Sequence, residues 1–196
     1  MKIVIDPGHG APDSGAVGPT GTREADINLK VAHALAKELA ARGHIASLTR
    51  SGTGRLYRDD RAADLRSRPA FANRTNASCF ISLHCNAAAN SAAQGFEVYT
   101  TRGRDRSDPL AAAIFEAWNC MFPQQRKRAD MSDGDADKES DFVVLRTCNV
   151  PAVLIEMGFI SNPEEERFLL APDNHEKIAA AISNGLEAWN DNARNA

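Results

Sequence analysis

Several things are missing from this chain, and each absence closes off a class of protein. Apolar runs are short, and Val150 to Ile155 contains Pro151; a membrane-crossing helix needs about 20 apolar residues, so no membrane insertion is expected. Charge of one sign is also missing. With 23 basic and 26 acidic residues the formal net charge is −3, which argues against nucleic acid as a partner and against an acidic solvating tail. The cysteines Cys79, Cys85, Cys120 and Cys148 form no CxxC pair, which excludes a thiol-rich zinc knuckle or a redox motif. Their spacing is irregular, and a chain of 196 residues buries a core without staples, so all four are expected as reduced, mostly buried thiols. At the N-terminus, Met-Lys-Ile-Val-Ile-Asp offers only three apolar residues in a row, too few for the apolar region of a signal peptide. The expectation is a protein made in the cytosol that needs another agent to release it if it acts outside.

What is present is ordinary globular material, 43% apolar and 25% charged, with room for one domain of roughly 150 to 200 residues. The β-branched run Lys2 to Ile5, stopping at Asp-Pro-Gly, predicts a buried strand. A Gly- and Pro-rich loop follows from Gly8 to Gly21. Ile27, Val31, Leu35 and Leu39 repeat every fourth residue and predict a helix over Glu24 to Arg42, stopped by Gly43. Further strands are expected at His44 to Thr49, Ser78 to Leu83, Gly95 to Thr100, Phe142 to Leu145 and Ala152 to Ile155. Further helices are expected at Arg58 to Asn76, with a break near Pro69, and at Leu110 to Phe122. Asn162-Pro163-Glu164-Glu165 reads as a capped helix start, and Asp173-Asn174-His175-Glu176 as a capping box before a last helix to about Asn190. Pro123 to Asp141 reads as loop. The alternation of strands and helices, without repeats or linkers, predicts one α/β domain: a mostly parallel twisted sheet of about six strands with helices on both faces.

Sites in such sheets form beyond the carboxyl ends of strands. Three predicted strand ends deliver polar side chains: Asp6-Pro7-Gly8-His9-Gly10, His84-Cys85-Asn86 and Glu156-Met157-Gly158. Glu24 opens the helix after the first of them. Two imidazoles and a carboxylate are a usual ligand set for catalytic zinc, which keeps a fourth position open. A second carboxylate outside that set can take a proton from water. The separations along the chain are long and there is no HExxH helix, so residue types alone leave the assignment open. An ionised carboxylate ending a hydrophobic strand, as Glu156 does, is costly without a partner and asks for a function.

The motifs carry a resemblance. Ile3-Val4-Ile5-Asp6-Pro7-Gly8-His9-Gly10, with Asp13-Ser14-Gly15-Ala16 and Glu24, resembles the opening of zinc-dependent N-acetylmuramoyl-L-alanine amidases of the amidase-3 family. Phe80-Ile81-Ser82-Leu83-His84-Cys85-Asn86-Ala87 resembles that family's second histidine motif, and Gln94-Gly95-Phe96-Glu97-Val98-Tyr99 the strand after it. Pro151 to Glu165 resembles its last motif. The resemblance implies one zinc ion held by His9, Glu24 and His84, with Glu156 as the catalytic carboxylate and peptidoglycan muramyl peptide as the substrate. Cys85 stands where the family more often has a small residue such as Ala. Some members carry an inserted helix that blocks the site; the short polar stretch Pro123 to Asp141 is not expected to form one. A lytic enzyme of endolysin type, or a catalytic domain excised from a larger secreted enzyme, would both fit. Another zinc hydrolase, or a binding module with a dead site, are the competing readings.

The remaining candidates read as structural. His33 falls opposite the helix stripe and is expected to face solvent; His44 and His175 are expected at the surface. The run Asp133-Gly134-Asp135-Ala136-Asp137 resembles a calcium loop but has Lys138 and Val144 where Gly and Glu are needed, and is expected to be solvated. Asn73-Arg74-Thr75 and Asn76-Ala77-Ser78 match glycosylation sequons by chance. Seven arginines against three aspartates between Arg50 and Arg74 are expected on a solvated helix with internal ion pairs, the alternative being a basic rim facing anionic wall polymer.

Overall fold

The computed structural model describes residues 1–57, 59–132 and 134–195. Its centre is a six-stranded sheet. β1 (Lys2–Pro7) lies between β2 (Ile45–Leu48) and β3 (Cys79–Asn86), and β3 pairs with β6 (Ala152–Phe159), all in parallel. β4 (Glu97–Thr100) runs antiparallel to β6 and parallel to the two-residue β5 (Lys138–Glu139). The order is β2-β1-β3-β6-β4-β5. The chain leaves β1 for one neighbour and returns to the other, so the strand order reverses around β1, the place where open α/β sheets collect their ligands.

The two faces of the sheet differ, and the two-residue period of the strands decides how. Ile3 and Ile5, Ile81 and Leu83, Val153 and Ile155 point to one face. There they meet α1 (Glu24–Ala41), α3 (Asp108–Met121) and α6 (Pro172–Asn195) through Ile27, Val31, Leu35, Leu39, Ile114, Trp118, Ile178 and Ile182, all fully buried. The alternate residues Val4, Phe80 and Leu154 point to the other face, where α2 (Arg61–Arg74) and the short α4 (Val143–Arg146) supply a smaller apolar cover. Further along the same strands, that second face carries Asp6, Ser82, His84 and Glu156, with Glu97 of β4 opposite Glu156.

Most predicted elements stand where expected, and the departures have local causes. α1 ends as predicted: Gly43 has φ +80°, His44 N donates to Leu39 O and Gly43 N to Ala40 O, the paired bonds of a Schellman stop. α2 starts at Arg61, capped by Asp60 accepting from Ala63 N at 2.9 Å; the predicted start at Arg58 lies outside the described residues. It is not broken at Pro69. Proline removes one helix hydrogen bond, but Pro69, Ala72 and Arg68 are buried, and the helix continues through it to Arg74. Phe142 to Leu145 is not a strand. It gives way to α4, because an apolar run this short does not separate strand from helix, and one turn buries Val144 and Leu145 together against α2. The last helix begins at Pro172 and continues to Asn195, with α5 (Pro163–Leu170) before it. β3 and β6 do not stop before His84 and Glu156 but run through them, with a register shift between His84 and Asn86.

Candidate active site

The β1 strand ends in a loop that turns back on itself. His9 has φ 60°, a conformation rare outside glycine, and two buried arginines hold it there. Arg68 Nη2 donates to His9 O at 2.7 Å and its Nη1 to Pro7 O at 2.9 Å. Arg50 donates to Pro7 O, Gly8 O and Ala25 O at 2.9, 3.0 and 2.8 Å. Arg68 also pairs with Asp6 and Asp64 at 2.9 and 2.8 Å. Burial opposes the charge of Asp6, but Arg68, Thr49 and Ser82 outweigh it and hold its carboxyl below the usual range. Burial and the neighbouring Arg68 push Arg50 down to about 10, still charged at neutral pH. These arginines correct the expected solvated helix: Arg50 and Arg68 are buried and clamp the loop from beneath. Gly8 is required because a Cβ there would lie 2.3 Å from the His84 ring, and Gly15 (φ +65°) because one would lie 2.5 Å from Glu24 Oε2.

His9, Glu24 and His84 converge, one potential ligand atom from each lying within 4.8 Å of the others. Glu24 sits between the rings: His9 Nε2 is 3.2 Å from its Oε2, and His84 Nδ1 is 2.9 Å from its Oε1. Backbone N–H groups of Ala16 and Cys85 donate to the same two oxygens at 2.9 and 3.1 Å. Burial resists ionisation of Glu24, yet its hydrogen bonds and charge contacts with His84 and His9 hold the carboxyl far below its ordinary range. Burial pulls His9 down, but Glu24 and Asp13 more than reverse that and raise it. In the sequence Asp13 shows only as part of the segment Asp13-Ser14-Gly15-Ala16, with no local sign of its partner. Its Oδ2 lies 3.1 Å from His9 Nδ1, the carboxylate position that fixes a ligating imidazole.

Glu156 lies opposite His84 in the β3–β6 ladder and opposite Glu97 in the β6–β4 ladder. Its Oε2 is buried with no hydrogen-bond partner. Burial, then the charges of Glu24 and Glu97, push its carboxyl well above the ordinary range. Glu97 is buried too, but Lys138 (2.8 Å), Tyr99 Oη (2.7 Å), Arg128 and Asn86 Nδ2 (2.8 Å) surround it and hold it below that range against its burial. Two carboxylates in register are thus driven apart, one kept ionised and one inclined to hold a proton. In the sequence Glu97 is marked only as a lone acid at an alternating strand position between Phe96 and Val98.

The other expectations divide. The four cysteines are free thiols, but only Cys79 and Cys85 are buried; Cys148 is half-buried and Cys120 exposed. Cys85 turns to the apolar face, away from His84, where burial and then Glu24 push its thiol well up and Sγ meets Asn28 Oδ1 at 3.5 Å. His33 is exposed. His175 is not at the surface: it is 7% exposed, with Nε2 2.7 Å from Leu169 O. His44 is half-buried, with Nδ1 3.2 Å from the terminal amine. Among the described residues between 123 and 141 there is no helix; instead Arg128 and Lys138 reach into the Glu97 cluster.

The family model for N-acetylmuramoyl-L-alanine amidase matches residues 3–188. The amidase AmiA of Escherichia coli is 31% identical over 232 aligned residues, covering 98% of this chain and 78% of AmiA. The CwlD amidase of Clostridioides difficile, solved in complex with the GerS lipoprotein, superposes with a TM-score of 0.87 at 29% identity, covering 97% of this chain and 98% of its own. The catalytic domain of CwlV from Bacillus (Paenibacillus) polymyxa var. colistinus superposes at 0.84 with 31% identity, covering 97% and 98%. A family match over nearly the whole sequence, and amidase structures that superpose on 97% of it, mean that the chain belongs to the N-acetylmuramoyl-L-alanine amidases, a family of peptidoglycan amide hydrolases.

Proposed function

We propose that the protein is a zinc-dependent amidase that cuts the bond between the lactyl carbonyl of N-acetylmuramic acid and L-alanine of the stem peptide, acting on the cell wall as a lytic or remodelling enzyme. The observation that carries this reading is the convergence of His9, Glu24 and His84 beside a buried carboxylate, Glu156, with an unpaired oxygen. Two imidazoles and one carboxylate suit zinc, Asp13 anchors the far nitrogen of His9, and a cation there would offset the charges that make Glu156 hard to ionise. A bound zinc ion supplies Lewis acidity toward the scissile carbonyl and toward water.

The chain's own residues do the rest. His9, Glu24 and His84 hold the ion, and the Arg50–Arg68 clamp keeps His9 in place. Glu156 Oε2 takes a proton from the attacking water and delivers it to the departing alanine nitrogen, for which a raised carboxyl is suited. Glu97, locked by Lys138 and Arg128, is a fixed charge that keeps the Glu156 proton transferable. Mass spectrometry of digested peptidoglycan is the test. Stem peptides with a free L-alanine amino group are expected, from glycan strands left intact; shortened peptides or cut glycan would overturn the assignment, and activity surviving exhaustive chelation would overturn the zinc.

A further inference from the structure

Glu97 gathers more positive charge beside the reaction centre than it can neutralise. Arg128 Nε and Lys138 Nζ both donate to one atom, Glu97 Oε1, while Asn86 Nδ2 and Tyr99 Oη donate to Oε2 at 2.8 and 2.7 Å. One carboxylate, saturated with donors, therefore faces two cations. The next acid does not make up the difference. Glu165 accepts from Gly95 N at 2.9 Å and Phe159 N at 2.6 Å, and among the described residues Arg128 forms an ion pair only with Glu97. Among the same residues, neither Nη group of Arg128 has a hydrogen-bond partner, and Lys138 Nζ has none besides Glu97. Both side chains reach the surface, 35% and 24% exposed.

Both cations are also held in place. Arg128 N donates to Phe96 O at 2.9 Å, and its guanidinium carbon stands 5.3 Å from the centre of the Phe159 ring. Gly95 (φ +121°) leaves room for its stem, since a Cβ there would lie 3.0 Å from Arg128 Cγ. Lys138 is fixed by the residue before it. The run opening at Asp133, which lies outside the described residues, is expected to be solvated, but Asp137 is 3% exposed and accepts from Thr100 Oγ1 on β4 at 2.6 Å. A guanidinium pinned through Nε, with both Nη groups open, is a planar fork that fits a second carboxylate by two parallel hydrogen bonds. Glu97 is paired with Glu156 in the β4–β6 ladder, where paired Cα atoms lie about 5 Å apart, so the fork stands in the wall of the same centre, one side chain beyond Glu156. We propose, on the amidase reading above, that Arg128, with Lys138 beside it, binds a free carboxylate on the residue that follows L-alanine in the stem peptide. In the bond to be cut the lactyl carboxyl is already an amide, so the muramyl side brings no acid. One residue past alanine adds about 3.5 Å, in keeping with a fork set one side chain beyond the carboxylate that moves the proton.

Two synthetic substrates test it: muramyl-L-alanyl peptides with an amidated C-terminus, identical except that the residue after alanine carries a free carboxylate or the matching carboxamide. Zinc-loaded wild type is expected to cut the acid with a kcat/KM roughly tenfold to a hundredfold above that for the amide, the range for a hydrogen bond to a charged group, with the difference mainly in KM. Arg128→Gln also loosens Glu97, so both substrates are expected to slow, but their ratio should fall to about one. Arg128→Lys should keep part of the preference, and Arg126→Gln, at an exposed arginine on the same segment, all of it. Calorimetry of the two released peptides on zinc-loaded protein repeats the comparison without turnover. Equal use of both substrates by wild type overturns the proposal, and so does a preference that survives in Arg128→Gln or is lost equally in Arg126→Gln. Circular dichroism checks folding; if Arg128→Gln does not fold, Arg128→Lys, which keeps the charge and loses the fork, decides, and an undiminished preference there overturns the proposal. A wild type that cuts neither peptide overturns the amidase reading itself, whereas equal cleavage of both leaves that reading standing.

Discussion

At the scale of single residues, Glu156 is the position where charge and burial conflict most. Glu156→Gln keeps the shape and removes the proton acceptor. Turnover is expected to fall by roughly a hundredfold to ten-thousandfold, the range of general acid–base assistance, with zinc content unchanged by elemental analysis; a parallel loss of zinc would make Glu156 a ligand instead. The same variant reports on stability through a defined sign. A carboxyl raised in the folded state binds a proton that the unfolded chain has released, so stability is lost as pH rises above the ordinary glutamate value of about 4.3. Metal-free Glu156→Gln is therefore expected to melt higher than metal-free wild type at neutral pH, with the gap closing below about pH 4. Cys85→Ala is expected to leave turnover and zinc content intact, because that thiol faces Asn28 and the apolar core.

At the scale of elements, the stretch from Arg50 to Arg68 belongs to the site as much as the ligands do. Arg68→Ala leaves Asp6 and Asp64 buried without their cation, and removing one partner of a buried pair costs about 3–5 kcal/mol; urea denaturation measures it. Acid reports on the same pairing. Asp6 is depressed in the folded state, so its contribution is complete above about pH 4 and is lost as pH falls through that value toward the lowered one. Asp6→Asn is expected to flatten that acid limb. These elements also show what the sequence could and could not disclose. Period and stop signals were local: the four-residue stripe of α1 and Gly43 placed a helix to within a residue, and the Asn162–Pro163 start held because a cap is made by neighbours. His9, His84, Glu24 and Glu156 stood out as polar residues beside readable apolar segments, but it was the resemblance of the motifs that carry them to the amidase-3 family that implied their roles, and β3 and β6 in fact run through His84 and Glu156. Arg50, Arg68, Asp13 and Glu97 did not stand out, since their partners lie tens of residues away or hide in a loop. Phe142 to Leu145, expected as a strand, and His175, expected at the surface, differ for a related reason: packing decides them.

At the scale of the whole molecule, the three candidate ligands come from a loop, a helix and a strand that meet only in the folded state. An ion bound to all three binds the unfolded chain poorly, so zinc is expected to stabilise the fold by about 2.7 kcal/mol at a free concentration one hundred times its dissociation constant. Chelation should lower the melting temperature reversibly, and readdition of zinc should restore it; an unchanged melting curve would mean that the ion does not bridge these segments.

The division of the sheet into an apolar face and a reactive face has an arithmetic side. Asp6, Ser82, His84, Leu154 and Glu156 all carry even numbers, and Ile3, Ile5, Ile81, Leu83, Val153 and Ile155 odd ones. Numbering is incidental, but within each strand the parity is not, because one extra residue exchanges the two sets. An insertion early in β6 would turn Glu156 toward α3 and α6 and present an isoleucine to His84, so core and chemistry would fail in the same step. Substitutions can trade one function against the other at these strands; changes of length cannot, which makes β1, β3 and β6 the parts of this chain least able to evolve by insertion or deletion.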